Sequence, residues 1–268
     1  MSRVSRREPC NTASCCPATH LSRKHQSSSP NLPPVGFLAV EVNIHRPPGD
    51  PYNPRTWPFP LIHELVPGSR ENQIVSKKTY DDDFISRFVD AGKKLAERGC
   101  VGIITSCGFL AMAQRQLSER IGIPIATSAL VQIPSVRAFL GPEKVIGVLT
   151  YDGDRLSETH LREIGADPAK IRIRGLSATG HTRKVIQDGV KYDGADMERE
   201  MVDSAVRLVE SIKEEGKEVG ALVLECTQMP PYAAAIQEQV GVPVYDVYTM
   251  GMWFYSGLVR KTPVVWMV

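Results

Sequence analysis

The sequence has no run approaching ~18 uninterrupted apolar residues, which excludes a membrane-spanning helix. Strong charge of either sign is also missing. The 32 basic and 30 acidic residues leave a net +2, which argues against a surface built for nucleic acid. Cysteine is scarce: six residues in a chain of 268 are too few for a disulfide scaffold. No Cys-x-x-Cys pair is accompanied by a second one, so a structural zinc site has no support. What is present is ordinary for a soluble globular protein, with 42% hydrophobic and 23% charged residues. The length suits one large domain or two small lobes.

The composition changes near Pro34. Residues 1–34 carry Arg3, Arg6, Arg7, Arg23 and Lys24 against the single acid Glu8. Rich in Ser and Pro and without apolar periodicity, this stretch is expected to be a disordered basic tail. It has no apolar core of a secretory signal. Its Arg- and Ser-rich, acid-poor character leaves a mitochondrial presequence open beside a cytoplasmic location. Cys10, Cys15 and Cys16 lie there and read as plain exposed thiols.

From Pro34 onward apolar runs alternate with amphipathic stretches. Val35–Val42, Val101–Thr105, Ile123–Ala126, Lys144–Thr150, Ile171–Arg174, Ala221–Leu224 and Val242–Tyr245 read as strands. The Pro/Gly-rich loop Arg46–Pro60 interrupts regular structure. Asp81–Asp83 offers N-caps to a helix with Phe84, Phe88, Ala91 and Leu95 on one face. A long helix is expected over Ala195–Glu215, with Met197, Met201, Ala205, Leu208, Val209 and Ile212 along its apolar stripe. Such alternation implies an α/β fold with parallel sheets.

Two segments superpose without a gap. Val101–Ile125 (VGIITSCGFLAMAQRQLSERIGIPI) lies over Gly220–Val244 (GALVLECTQMPPYAAAIQEQVGVPV). Cys107 falls on Cys226, Glu119 on Glu238, Gly122 on Gly241 and Pro124 on Pro243. Generic strand–helix–strand similarity explains the hydrophobic matches but not a cysteine at the same strand end in both copies. The repeat is therefore read as an internal duplication. Each cysteine follows the carboxyl end of a strand, where open α/β sheets place ligands. The helix start beyond it favours thiolate over thiol. If the halves face each other about a pseudo-twofold axis, the two thiols approach one pocket from opposite sides. One removes a proton from a carbon next to a carbonyl and the other returns one to the opposite face, titrating as a coupled pair. Cys100, whose repeat partner is Val219, reads as structural.

At these residues the sequence resembles the aspartate/glutamate/hydantoin racemase superfamily over about residues 35–255. The paired motifs are TSCGF (Thr105–Phe109) and LECTQMPPYA (Leu224–Ala233), with GIPIATSALVQIP and GVLTYDGD in support. The resemblance implies two pseudo-twofold-related lobes, each a parallel sheet flanked by helices, with the active site between them. It places lobe 1 at 35–141 and lobe 2 at 142–268, with segments near 126–141 and 246–268 exchanged. It implies a PLP-independent isomerase, a racemase or epimerase needing no cofactor or metal, with Cys107 and Cys226 as the acid/base pair. Thr227 matches the Thr that helps hold a substrate carboxylate. Thr150 and Tyr151 resemble the strand end that supplies further carboxylate contacts, and Ser106 and Gly108 flank the first cysteine. The chain departs from the amino-acid racemases: Cys-Gly-Phe replaces Cys-Asn-Thr, and Gln228 stands where a His often follows the second Cys-Thr.

Arg46, at the carboxyl edge of the first strand, suits bidentate pairing with a carboxylate. His45 lies beside it. Glu225 adjoins Cys226 and either raises that thiol's pKa, contacts a substrate amine, or points away. His160 and His181 are expected on the surface, His181 in a loop. Trp253, Phe254, Tyr255 and Trp266 form an apolar aromatic segment that suits docking or a subunit contact in a homo-oligomer. The expected partner is a small-molecule carboxylate, with no nucleic acid and no membrane. Two alternatives stand beside the racemase: a cis–trans isomerase or decarboxylase using one cysteine, and a small-acid binding protein without turnover.

Overall fold

The computed structural model describes residues 32–262. The tail expected over residues 1–34 lies almost wholly outside this range, as do Cys10, Cys15, Cys16 and Trp266. The first half of the described chain runs β1 (Val35–Ala39), β2 (Leu61–Leu65), α1 (Glu71–Ile74), α2 (Asp82–Glu97), β3 (Ile103–Thr105), α3 (Gln114–Ile121), β4 (Ile125–Ala126) and α4 (Ile133–Ala138). The second runs β5 (Lys144–Thr150), α5 (Glu158–Glu163), β6 (Ile171–Gly175), α6 (His181–Gln187), α7 (Gly194–Glu214), β7 (Glu218–Leu224), α8 (Ala233–Val240), β8 (Val244–Tyr245) and α9 (Val247–Leu258).

The strands form two all-parallel sheets of four, ordered β2-β1-β3-β4 and β6-β5-β7-β8. The two orders are the same, so the fold is α/β with one topology used twice. Parallel strands covered on both faces must be apolar throughout. All five residues of β1 are buried, as are six of the seven in β5 and six in β7. The repeat holds element by element: α3 and β4 lie over α8 and β8 with the residue spacing that carries Cys107 onto Cys226. Both helices stop at a glycine in the left-handed region, Gly122 at φ 92° and Gly241 at φ 68°. A side chain resists that conformation.

Helix α2 shows how the sequence sets the packing. Asp81 caps it by accepting from Phe84 N–H at 2.7 Å. Phe84, Phe88, Ala91 and Leu95 are buried together against β1 and β2, as their spacing predicts. Full burial of such side chains stabilises by roughly 1.5–3 kcal/mol each. Asp81→Ala is expected to cost about 1 kcal/mol of stability through loss of the cap. That lowers Tm by roughly 2–4 °C in a chain of this size, measurable by calorimetry.

Several local expectations are corrected. β1 ends at Ala39 rather than Val42, and β3 spans only Ile103–Thr105. The loop Arg46–Pro60 contains a 3-10 turn at Pro54–Thr56, where proline is tolerated at a helix start. That loop also buries Trp57 and Phe59. His181 opens α6 instead of lying in a loop. His160 is 0% exposed, not on the surface. The Phe109 ring meets it edge-on at 5.3 Å, and its Nδ1 accepts from Ser157 N–H at 3.2 Å. Burial holds the His160 imidazole down to about 4, so it is neutral. Trp253, Phe254 and Tyr255 belong to α9, which packs against β4 and β8; Trp253 is 60% exposed.

Candidate active site

Each cysteine sits in the turn that leaves a central strand. β3 ends at Thr105, and Ser106–Cys107 lead into a 3-10 turn, Gly108–Ala113, before α3. β7 ends at Leu224, and Glu225–Cys226–Thr227–Gln228 lead to the turn Pro230–Tyr232 before α8. The two turns are joined directly: Thr227 Oγ1 donates to the Ser106 carbonyl at 2.9 Å. Residues occupying the same place in the repeat do the same local work. Ser106 Oγ accepts from Val40 N–H at 2.8 Å, just past β1. Glu225 Oε2 accepts from Tyr151 N–H at 3.3 Å, just past β5.

Cys107 and Cys226 line one cavity of about 60 Å³. Ser106, Gly108, Thr227 and Gln228 line it with them, as do Arg46 and Tyr151. The rest of the wall is largely aliphatic, including Val40, Ile44, Ile74 and Ile186. Thr150 does not reach the cavity. Its hydroxyl donates to Glu225 Oε2 at 2.6 Å, so it holds that carboxylate instead of a ligand.

Helix starts lead one to expect lowered thiol pKa values, and the site does the reverse. Burial pushes both thiols up, and the charge of Glu225 pushes both further. A backbone N–H two residues on, from Phe109 for Cys107 and Gln228 for Cys226, opposes this only in part. Both groups therefore rest as thiols at neutral pH. Glu225 is 1% exposed, and burial pushes its carboxyl up to about 7 despite the bonds from Thr150 and Tyr151.

Arg46 is the cation of the site. Its guanidinium pairs with Asp50 at 3.2 Å, donates to the Val42 carbonyl at 3.3 Å and lies over the Tyr52 ring at 5.2 Å. Asp50 is fully buried and is held by Tyr52 N–H at 2.8 Å and by the Gln228 amide at 2.7 Å. Gln228 thus serves to fix the Arg46 anchor from the other half of the chain. Tyr151 carries the Arg183 guanidinium 4.4 Å from its ring centre, and its buried hydroxyl has no hydrogen-bond partner among the described residues. His45 packs on the Tyr192 ring, 4.5 Å away, and does not line the cavity. Cys100 is buried outside the cavity.

Sequence reasoning missed Asp50, Glu71 and Ile186. Glu71 opens α1 and lines the cavity, with its Oε1 accepting from Gln187 at 3.1 Å. No motif marks these residues; the fold alone gathers them. Among the described residues no cluster of three or more His, Cys, Asp or Glu side chains is arranged to hold a metal ion.

No family model matches the sequence. Dimethylsulfoniopropionate lyase 3 of Emiliania huxleyi (strain CCMP1516) is 28% identical over 232 residues, covering 81% of this chain and 57% of the lyase. The dimethylsulfoniopropionate lyase of Durusdinium sp. clade D is 25% identical over 232 residues, covering 84% of this chain and 75% of its own. Among solved structures, unliganded arylmalonate decarboxylase superposes with a TM-score of 0.57 at 17% identity, covering 86% of this chain and 94% of that one. A glutamate racemase isoform from Bacillus anthracis superposes with a TM-score of 0.51 at 12% identity, covering 84% and 82%.

Proposed function

On a chain with the fold of the aspartate/glutamate/hydantoin racemase superfamily, we propose an enzyme that removes a proton from the carbon next to the carboxylate of a small acid. The observation that carries this reading is the pair Cys107 and Cys226 on the wall of one small cavity that also holds Arg46. Arg46, its charge fixed by Asp50, orients the substrate carboxylate by charge-assisted hydrogen bonds. Tyr151 Oη adds a polar contact, whereas the Thr227 hydroxyl is committed to the Ser106 carbonyl and does not hold the carboxylate as expected. One cysteine, in the minor thiolate form that its raised pKa leaves, takes the α-proton. Loss of that proton leaves a carbanion next to the carboxylate.

The substrate decides the fate of that carbanion. With no leaving group on the next carbon, the second thiol returns a proton to the opposite face and the centre inverts. With a sulfonium there, the carbanion's electron pair forms a C=C bond. The C–S bond breaks and a neutral sulfide departs, leaving the proton on the cysteine. The lyase relatives make 3-dimethylsulfoniopropionate the first acid to test for elimination. Neither route needs an electron acceptor or a cofactor.

Proton NMR of candidate small acids with the enzyme in deuterated water tests both routes. The expected result is loss of the α-proton signal of at least one acid, with alkene signals added where elimination occurs. A panel of β-sulfonio, α-amino and plain acids whose α-protons all persist would sink the proposal.

A further inference from the structure

Glu225 is a buried carboxylate that proton transfer between the two cysteines does not use. We propose that Glu225 receives a cationic group of the substrate, so that the cavity takes zwitterionic acids, their carboxylate at Arg46, in preference to plain carboxylates. This rests on the carbon-acid reading of the same site.

A buried carboxylate is ordinarily paired, because an unmatched charge is costly away from water. Among the described residues Glu225 has no ion-pair partner, yet it lines the cavity. Its Oε2 is occupied by the Thr150 hydroxyl and Tyr151 N–H. Its Oε1 takes no hydrogen bond from any described residue and lies against Gly108, whose missing side chain leaves room for the carboxyl group. The charges around the cavity point the same way. Among the described residues that line it, the one cation, Arg46, is already matched by Asp50, whereas Glu71 and Glu225 are acids with no cation of their own. A plain anion enters against that excess. A zwitterion brings the balancing charge with it.

The titratable groups facing Glu225 are Asp152, Cys107, Cys226, Tyr80 and Tyr151. With its carboxyl held near 7, mainly by burial, Glu225 gains its charge across the neutral range. Once ionised it raises both thiols. A substrate cation against it offsets that push and favours the thiolate that the reaction needs.

Two probes of the same shape isolate the positive charge: 3-(trimethylammonio)propanoate and its isostere 4,4-dimethylpentanoate, which keeps the carboxylate but lacks the cation. Their affinities for the full chain are measured by calorimetry at about pH 6 and about pH 8, either side of the Glu225 titration. The wild-type protein is expected to bind the cationic probe at least ~10-fold tighter at the higher pH, with the ratio falling several-fold at the lower. Glu225→Gln is expected to bring the ratio to within about twofold of unity at both. A preference that survives in Glu225→Gln, or that is absent from the wild type, overturns the proposal. If the variant does not fold, the wild-type ratio decides alone, and a ratio unchanged between the two pH values overturns it. Failure of the carbon-acid reading is separate: it shows as absent α-proton exchange, whatever the binding ratio.

Discussion

For a substrate that is inverted, serine at either Cys107 or Cys226 is expected to lower net turnover by about 10²–10⁴-fold, the usual worth of a positioned acid or base. Serine is nearly isosteric, so the cavity and the bonds from Phe109 and Gln228 N–H survive, while the weak hydroxyl acid cannot supply a base at neutral pH. Exchange and net conversion then separate. A single variant still washes deuterium into the one enantiomer whose face keeps a cysteine able to act as thiolate, so Cys107→Ser and Cys226→Ser show opposite preferences. For a substrate that eliminates, only the cysteine facing the α-proton matters, and one variant retains activity. Both rates are followed by NMR, with folding checked by circular dichroism. A folded Cys107→Ser that inverts its substrate at the wild-type rate would refute the two-base route.

Gly108→Ala is expected to be the most disruptive small change in the site. A Cβ there would overlap both the side-chain and the backbone carbonyl oxygens of Glu225 and lie 2.8 Å from its carboxyl carbon. The side chain can swing aside only by breaking its bonds to Thr150 and Tyr151 N–H. The backbone oxygen cannot move without shifting the turn that carries Cys226. Overpacking of this kind costs about 1–3 kcal/mol. The expected loss is roughly 2–12 °C in Tm, with activity falling further because one cysteine is displaced from the other. A variant with wild-type Tm and turnover would show that the turns around Cys107 and Cys226 are not packed in this way.

Much of this was legible in the sequence because it is carried by local patterns. The strand–helix alternation needs only apolar periodicity, and β5 matches its expected bounds from Lys144 to Thr150. The repeat located both cysteines because each half reuses the same strand end, helix and stop glycine. What escaped depends on distance through space. Among the described residues β2 pairs only with β1, at a sheet edge, so His63 and Glu64 are tolerated there and break the apolar run that would have marked it as a strand. His160 reads as a surface residue because α5 is too short, at six residues, to reveal which face is buried. The direction of the thiol shifts arises from burial and from Glu225, neither of which a helix-start argument contains. Gln228 fixes Asp50 across 178 positions of chain, and no spacing rule reaches that far.

Ser106 and Glu225 hold equivalent places in the two halves, yet one is a neutral hydroxyl and the other an acid. The scaffold is thus symmetric and its charge is not. For a substrate that the enzyme merely inverts, mirror-image acids have equal free energy and the equilibrium constant is one. The Haldane relation then forces kcat/KM to be the same in both directions. The imbalance between Ser106 and Glu225 cannot favour one enantiomer in that ratio. It can only set kcat against KM, so that the antipode held more tightly in the ground state is also the one converted more slowly at saturation.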